Sequence, residues 1–200
     1  MKFKIKFKDE EYPSANREYT SDENLLEKTL IGFIYNDGGR LAAGFKGGTG
    51  DCVTRAIAIV TGKPYKEVYD ALNELSEPFN QKHCKPKRTK RGVKIYRRCA
   101  ARTGVHKPVY HKYLLSLGMK WIPTMFIGQG CKVHLRADEL PAGKLIVSVS
   151  KHLTAVIDGV VNDTFNPARE GTVVEYGHGK DYGKVITREA GRCVYGYFSF

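Results

Sequence analysis

The sequence predicts a single α+β domain over residues 1–200, with helices in the first part and an antiparallel sheet in the second. A helical pattern of apolar residues begins at Val53, directly after a glycine-rich stretch. From residue 143 onward the apolar runs are short and separated by turn residues such as Asp158-Gly159, which is typical of hairpin-connected strands. A chain of 200 residues can also bury a core without disulfide or metal support.

The N-terminal region is predicted to contribute strands before the first helix. Residues 1–32 form an extension, in which residues 2–8 alternate between lysine and apolar side chains as an edge strand does. Residues 33–45 are predicted to form a hairpin, because Asp37-Gly38 suits a tight turn between two apolar runs. This hairpin leads the chain into the first helix.

Three helices are predicted in the first part of the chain. The first follows Cys52 and ends near Gly62, and the second begins near Pro64, which suits the first helical position. The third covers about residues 108–117 and is ended by Gly118. The side chains expected to face the core are Tyr65, Val68, Leu72 and Leu75 in the second helix and Val109, Tyr113 and Leu117 in the third.

The remaining elements are predicted to be strands. Residues 152–157 and 160–165 form a hairpin around Asp158-Gly159, and residues 143–149 form a half-buried strand before it. The C-terminal region, residues 168–200, holds candidate strands whose order the pattern does not predict. The other predicted strands are residues 120–123, 185–186 and 193–200.

Positive charge is concentrated in the middle of the chain. The formal net charge is +12, yet residues 78–137 contain 15 Lys and Arg and no Asp or Glu. The densest part, residues 82–98, is predicted to contact nucleic acid or another polyanion, because each phosphate contact releases counterions. A solvated loop, or a surface for an acidic partner or substrate, is the alternative. The predicted contact residues are Lys87, Arg88, Lys90, Arg91, Lys94, Arg97 and Arg98.

Cysteine usage and hydropathy predict a cytoplasmic protein. The five cysteines are odd in number, widely spaced and without a CxxC pair, which argues against a disulfide framework. No segment is apolar enough for a signal peptide or a membrane span, so no membrane contact is expected. We expect no cofactor and no metal, because ligand spacing is absent from the set His83, Cys84, Cys99, His106, Cys131 and His134.

Cys52 is the residue most suited to a chemical role. Thr49 and Asp51 are both good N-cap residues, so Cys52 is predicted to lie in the first turn of its helix. Free N–H groups and the positive end of the helix dipole lower the pKa of a thiol there, and the same groups can stabilise an oxyanion. The alternative is a buried cysteine that only packs.

A base and an orienting carboxylate for this thiol are predicted on the later strands. If Asp158-Gly159 is a two-residue turn, Thr154 faces Asp163, and His152 becomes the diagonal neighbour of Asp163 on the same face. The same count directs Asn162 to the opposite face. An exposed polar histidine and an aspartate that merely ends a strand are the alternatives.

The order Cys52, His152, Asp163 resembles the papain-like cysteine peptidase superfamily, particularly its small bacterial members that cleave peptides after a double glycine. The resemblance implies a fold in which a helical part, with the cysteine at a helix N-terminus, packs on a C-terminal antiparallel sheet. Some of the blocks also resemble small proteins of bacteria and phages, and for a phage protein the host cytoplasm is the expected location. The similarity spans residues 33–167 and is carried by residues 37–40, 50–58, 121–125, 140–147 and 162–167.

One position departs from the superfamily pattern. A glutamine a few residues before the cysteine usually donates to the oxyanion, but position 46 of this chain is Lys. The Cys52 N–H is therefore expected to be one donor, and Thr49, Lys46 or Asn36 the other.

The resemblance implies a hydrolase that cleaves a peptide or isopeptide bond in a peptide or protein substrate. Cys52 attacks, His152 transfers the proton, and Asp163 fixes the tautomer of the imidazole. Two alternatives remain at this stage. The same residues also suit acyl transfer, and a non-catalytic protein of the same fold would bind nucleic acid through residues 82–98.

Overall fold

The ranges that the structure, a computed structural model, describes contain a six-stranded mixed sheet and three helices. This arrangement confirms the predicted α+β class. The described residues are 31–48, 50–84, 87–89, 92–94, 98–168, 171–176 and 185–200. The predicted strand at residues 2–8 lies outside them.

The three helices begin within a few residues of the predicted positions, and the first and third also end close to theirs. They are α1 (Cys52–Thr61), α2 (Tyr65–His83) and α3 (Lys107–Ser116). Helix α1 ends at Gly62, whose φ of 70° lets its N–H donate to the Ala58 carbonyl at 2.9 Å. Glycine adopts this left-handed conformation without the steric cost of a Cβ, which explains why the helix ends there.

The main sheet is antiparallel except at one edge. Its strand order is β1-β7-β6-β5-β10-β4, and β1 runs parallel to β7. Two further pairs of strands, β2 with β3 and β8 with β9, lie outside this sheet. The strands are β1 (Gly32–Tyr35), β2 (Lys87–Thr89), β3 (Gly92–Lys94), β4 (Lys120–Pro123), β5 (Lys144–Val149), β6 (His152–Ile157), β7 (Val160–Asp163), β8 (Gly171–Tyr176), β9 (Val185–Ala190) and β10 (Val194–Ser199).

The predicted hairpin over residues 33–45 is wrong. Strand β1 pairs with β7, and the chain after it folds into consecutive turns in place of a return strand. The Asp37 carboxylate accepts hydrogen bonds from the N–H groups of Gly39 (2.9 Å) and Leu41 (2.8 Å). These two bonds hold the segment as a compact loop, since they occupy N–H groups that a strand would need for its ladder.

The main sheet separates two apolar cores. Side chains of β5 alternate between them, with Ile146 in the core under the helices and Leu145 and Val147 in the core on the other face. Helix α1 packs over β6 by placing Ile57 in the first core. The sheet therefore holds the start of α1 close to the start of β6.

Two of the five cysteines depart from the expectation that none is paired. Cys131 and Cys193 form a disulfide across 62 residues of sequence, with their Cα atoms 5.7 Å apart. Backbone pairing between residues 133–135 and 192–194 brings the two segments together, which the wide spacing in the sequence did not reveal. In the described ranges, every helix is too short or too polar to serve as a bilayer-spanning segment. Cytoplasmic location stays a prediction.

Candidate active site

Cys52 is the first residue of α1, in the helical turn that the sequence predicted. The N-cap residue is Asp51, but its side chain makes no capping hydrogen bond. The carboxylate is buried and turned toward the side chains of Arg55 and Tyr65. Since no side chain caps the first turn, its N–H groups stay directed at the region around the thiol. The other predicted cap, Thr49, lies outside the described residues.

The Cys52 thiol and the His152 side chain, at the start of β6, line the same cavity, and each shifts the pKa of the other. Burial by itself raises the pKa of this thiol. The opposing effects are larger in sum: hydrogen bonding to His152 and its charge, the Leu153 N–H, and the charge of Arg55 together lower the pKa below its usual value. A helix N-terminus and a neighbouring imidazolium are the two surroundings that most favour a thiolate.

His152 and Asp163 are joined as the strand register predicted. The ring Nε2 lies 2.7 Å from Asp163 Oδ2, which leaves Nδ1 as the ring nitrogen available to Cys52. Burial disfavours the imidazolium, but the hydrogen bonds and charges of Asp163 and Cys52 outweigh it and raise the pKa of His152 to about 9. Likewise, burial raises the pKa of Asp163, and the bond and charge of His152 lower it below its usual value. These directions favour a thiolate–imidazolium pair at neutral pH.

A buried chain of charges, which sequence reasoning missed, supports the carboxylate. Arg55 Nη2 lies 3.1 Å from Asp163 Oδ1, and its Nη1 bonds to Asp51. Asp51 also accepts a hydrogen bond from the Tyr65 hydroxyl at 2.7 Å and forms an ion pair with Arg40 at 3.0 Å. The available signal was a single arginine in an otherwise uncharged and largely apolar helix, because a buried arginine needs buried acidic partners.

A cavity of about 540 Å³ opens beside the thiol, and Cys52 forms part of its lining. Gly50 lines it next to Thr103, whose carbonyl oxygen would be 3.1 Å from a Cβ at position 50. A larger residue than glycine would therefore narrow the entrance. Other lining residues come from the segment before α3, from the β5–β6 turn and from the strand ends: His106, Lys107, Tyr110, Lys151, Phe165 and Tyr195.

Tyr110, on α3, is a second residue that sequence reasoning missed. Its side chain is largely buried, yet it lines the cavity. Burial and then the negative charge of Cys52 raise the pKa of Tyr110 to about 12, so the hydroxyl stays protonated. Among the residues described, none forms a hydrogen bond with this hydroxyl, which is therefore available as a donor.

Two of the residues predicted as oxyanion donors, Asn36 and Lys46, lie away from the cavity lining. The Asn36 amide donates to Asn162 at 3.3 Å and accepts from the Gly38 N–H at 2.9 Å. Lys46 is exposed, and its carbonyl accepts a bond from Arg102. Neither residue lines the cavity, and Thr49 is outside the described ranges. The groups that line the cavity beside the thiol include the first turn of α1 and Tyr110.

The basic segment is described only in part. Lys87, Arg88 and Lys94 belong to the paired strands β2 and β3, and Arg98 forms an ion pair with Glu77 at 2.5 Å. Lys90, Arg91 and Arg97 lie outside the described residues. Within the described ranges, no group of three or more His, Cys, Asp or Glu side chains is arranged to hold a metal ion.

Comparison with protein-family models, with curated proteins and with solved structures found no significant match to this chain.

Proposed function

We propose that the protein is a papain-like cysteine hydrolase that cleaves a peptide or isopeptide bond. The observation that carries this proposal is the position of the His152 ring, which bonds to Asp163 at 2.7 Å and lines the same cavity as the thiol of Cys52. A thiol at a helix start, a base and an orienting carboxylate are the three groups that thiol hydrolysis requires. The helix packed over an antiparallel sheet agrees with the papain-like arrangement.

In the proposed reaction, the Cys52 thiolate adds to the carbonyl carbon and a tetrahedral oxyanion forms. The His152 imidazolium then gives its proton to the leaving amine, and the C–N bond breaks to leave a thioester on Cys52. A water molecule next attacks the thioester while His152 removes its proton. The C–S bond breaks, the carboxylic acid product leaves, and the thiolate–imidazolium pair is restored. If an amine replaces this water, the same residues perform acyl transfer.

The Cys52 N–H and the Tyr110 hydroxyl are the two donors proposed for the oxyanion. An N–H in the first turn of a helix has no intrahelical acceptor, and Tyr110, whose hydroxyl stays protonated, lines the cavity. Loss of one such donor typically costs about 10²–10³-fold in rate. Tyr110 thus fills the function that the missing glutamine performs in the superfamily.

Alkylation with iodoacetamide at neutral pH tests the state of the thiol. Cys52 is expected to react much faster than Cys84, which is also half-buried but lies at the C-terminal end of α2. Mass spectrometry of the modified peptides gives both rates in one sample, and Cys52→Ala identifies the fast site. Equal rates at Cys52 and Cys84 would overturn the proposed chemistry.

Tyr110→Phe tests the oxyanion assignment. Alkylation develops no oxyanion, whereas acylation by a p-nitrophenyl ester does, so the variant should slow acylation about 10²-fold and alkylation far less. Tyr113→Phe is the matched control, because Tyr113 is buried on the same helix but does not line the cavity. Similar losses in both reactions would mean that Tyr110 only supports packing.

A second proposed function is polyanion binding through the basic segment. The observation that favours it is the pairing of β2 and β3 into a two-stranded ribbon outside the main sheet, since such ribbons fit the major groove of DNA. Binding should weaken steeply with salt, persist in Cys52→Ala, and weaken when Lys87, Arg88, Lys90 and Arg91 are neutralised. Salt-independent binding, or none, would overturn this function without affecting the first.

A further inference from the structure

We infer that the cavity beside Cys52 accepts peptides that carry an acidic side chain next to the bond under attack. This inference rests on the proposed hydrolase function and names its substrate class. It starts from the charges on the cavity wall. Lysines at positions 107 and 151 line the cavity, and the described part of its lining contains no Asp or Glu.

Lys107 is held by an aromatic ring, which does not neutralise its charge. It is the first residue of α3, and its Nζ lies 4.9 Å from the ring centroid of Trp121. A cation–π contact holds the ammonium in place but supplies no countercharge. No carboxylate among the described residues lies within ion-pairing distance of this amine.

Lys151 places a second positive charge beside the catalytic imidazole. It adopts a left-handed conformation, with φ of 56°, in the tight turn between β5 and β6. That turn carries it directly before His152, and it also has no carboxylate partner in the described part of the chain. The third lining cation, Arg55, differs because Asp51 and Asp163 neutralise it. The two lysines are thus the uncompensated charges of the cavity.

Substrate binding removes water from these two ammonium groups. A neutral or basic peptide would leave them partly desolvated and unpaired, which costs free energy. A glutamate or aspartate side chain replaces the lost water with a charge-assisted hydrogen bond. The remaining wall contains Val149, Phe165 and Tyr195, which suit apolar neighbours of that acidic residue.

Peptide binding to the Cys52→Ala protein tests this inference without requiring turnover. Matched pools of short random peptides, each with one central Glu, Gln or Lys, carry the same fluorophore and are measured by anisotropy. The Glu pool should bind roughly tenfold tighter than the Gln pool, since each exposed ion pair is worth up to about fivefold. Lys107→Met and Lys151→Met should each reduce that preference severalfold and make it less sensitive to salt.

The matched control is Lys144→Met. Lys144 is also exposed, but it lies at the end of β5 remote from the cavity, where it faces Ile157. Its removal should leave the preference for the Glu pool unchanged. Equal binding of all three pools, or equal effects of the three lysine substitutions, would overturn the inference.

Alkylation of the native protein separates this inference from the proposed function. Iodoacetate and iodoacetamide have the same shape and differ by one negative charge, so their rate ratio at Cys52 reports the local field. The ratio should exceed that of free cysteine and should fall in both cavity-lysine variants. A slow Cys52 with a retained Glu preference would overturn the hydrolase alone, and a fast Cys52 with no charge preference would overturn the substrate class alone. An oligonucleotide serves as a competitor of the Glu pool for the same lysines. If it binds tighter and displaces the pool, the ligand of the cavity is nucleic acid and the inference of an acidic peptide is overturned.

Discussion

The protein contains two sets of ion pairs that differ chiefly in burial. Around the start of α1, Arg55 joins Asp51 and Asp163, and all three side chains are nearly inaccessible. On α2, Lys66 pairs with Asp70 one helical turn later, and both side chains are more than half exposed. The pairing chemistry is alike, but water screens only the second set.

The difference in burial indicates the role of the buried ion pairs. Desolvating three charges costs more than a single pair returns, so such a cluster is poor evidence for stability alone. Here it fixes both sides of one carboxylate, because Asp163 receives Arg55 on Oδ1 and His152 on Oδ2. The cluster therefore positions the imidazole, while the exposed pair on α2 only adds to the helix.

Removal of one charge from each set gives the largest expected difference. Arg55→Met removes the cation that two buried carboxylates share, and we expect the free energy of unfolding to fall by about 3–5 kcal/mol. Lys66→Met removes an exposed partner and should cost no more than about 0.5 kcal/mol. Urea denaturation measures both. Comparable losses in the two variants would mean that burial does not distinguish the sets.

Asp163→Asn tests whether the buried set acts on the thiol. The amide keeps the size of the side chain but removes the charge that helps to raise the pKa of His152 to about 9. The imidazolium and the thiolate should both become less populated at neutral pH, and ester hydrolysis should fall about 10²-fold or more. Asp70→Asn is the control on α2 and should leave the rate unchanged. A variant at position 163 with full activity would separate the ion cluster from catalysis.

The sequence predicts features set by neighbouring residues better than contacts between residues far apart in the chain. Helix starts and the strand pairing around Asp158-Gly159 follow from periodicity and turn chemistry, so His152 and Asp163 could be placed together before the structure. The pairing of Arg55 with Asp163 spans 108 residues, and no periodic pattern encodes it.

The pairing at the sheet edges and the disulfide could not be predicted for the same reason. Parallel pairing of β1 with β7, and insertion of β10 between β5 and β4, depend on the packing of segments far apart in the chain. The bond between Cys131 and Cys193 follows from that packing. Tyr110 could not be assigned for a similar reason, because a helical pattern gives the buried face but not the cavity at its edge.

The smallest expected effect is the change of stability with pH. Two groups of the site, His152 and Cys52, change their pKa on folding and therefore make the stability depend on pH. The pKa of His152 rises from 6.5 to about 9 on folding; its contribution is present below pH 6.5 and is lost as pH rises through 9. The pKa of Cys52 is lowered from 9.0, so its contribution is present above pH 9 and is lost as pH falls through the lowered value.

These two contributions oppose each other in the native protein, because folding transfers a proton from the thiol to the imidazole. We therefore expect the free energy of unfolding to vary little between pH 6.5 and 9. In Cys52→Ala only His152 and Asp163 remain, and stability should fall steadily as pH rises above 6.5. Urea denaturation at several pH values compares the two slopes. Equal slopes would show that the thiol is not ionised by its neighbours. The effect of burial on charged groups would then be limited to Arg55 and Asp163 and would not extend to Cys52.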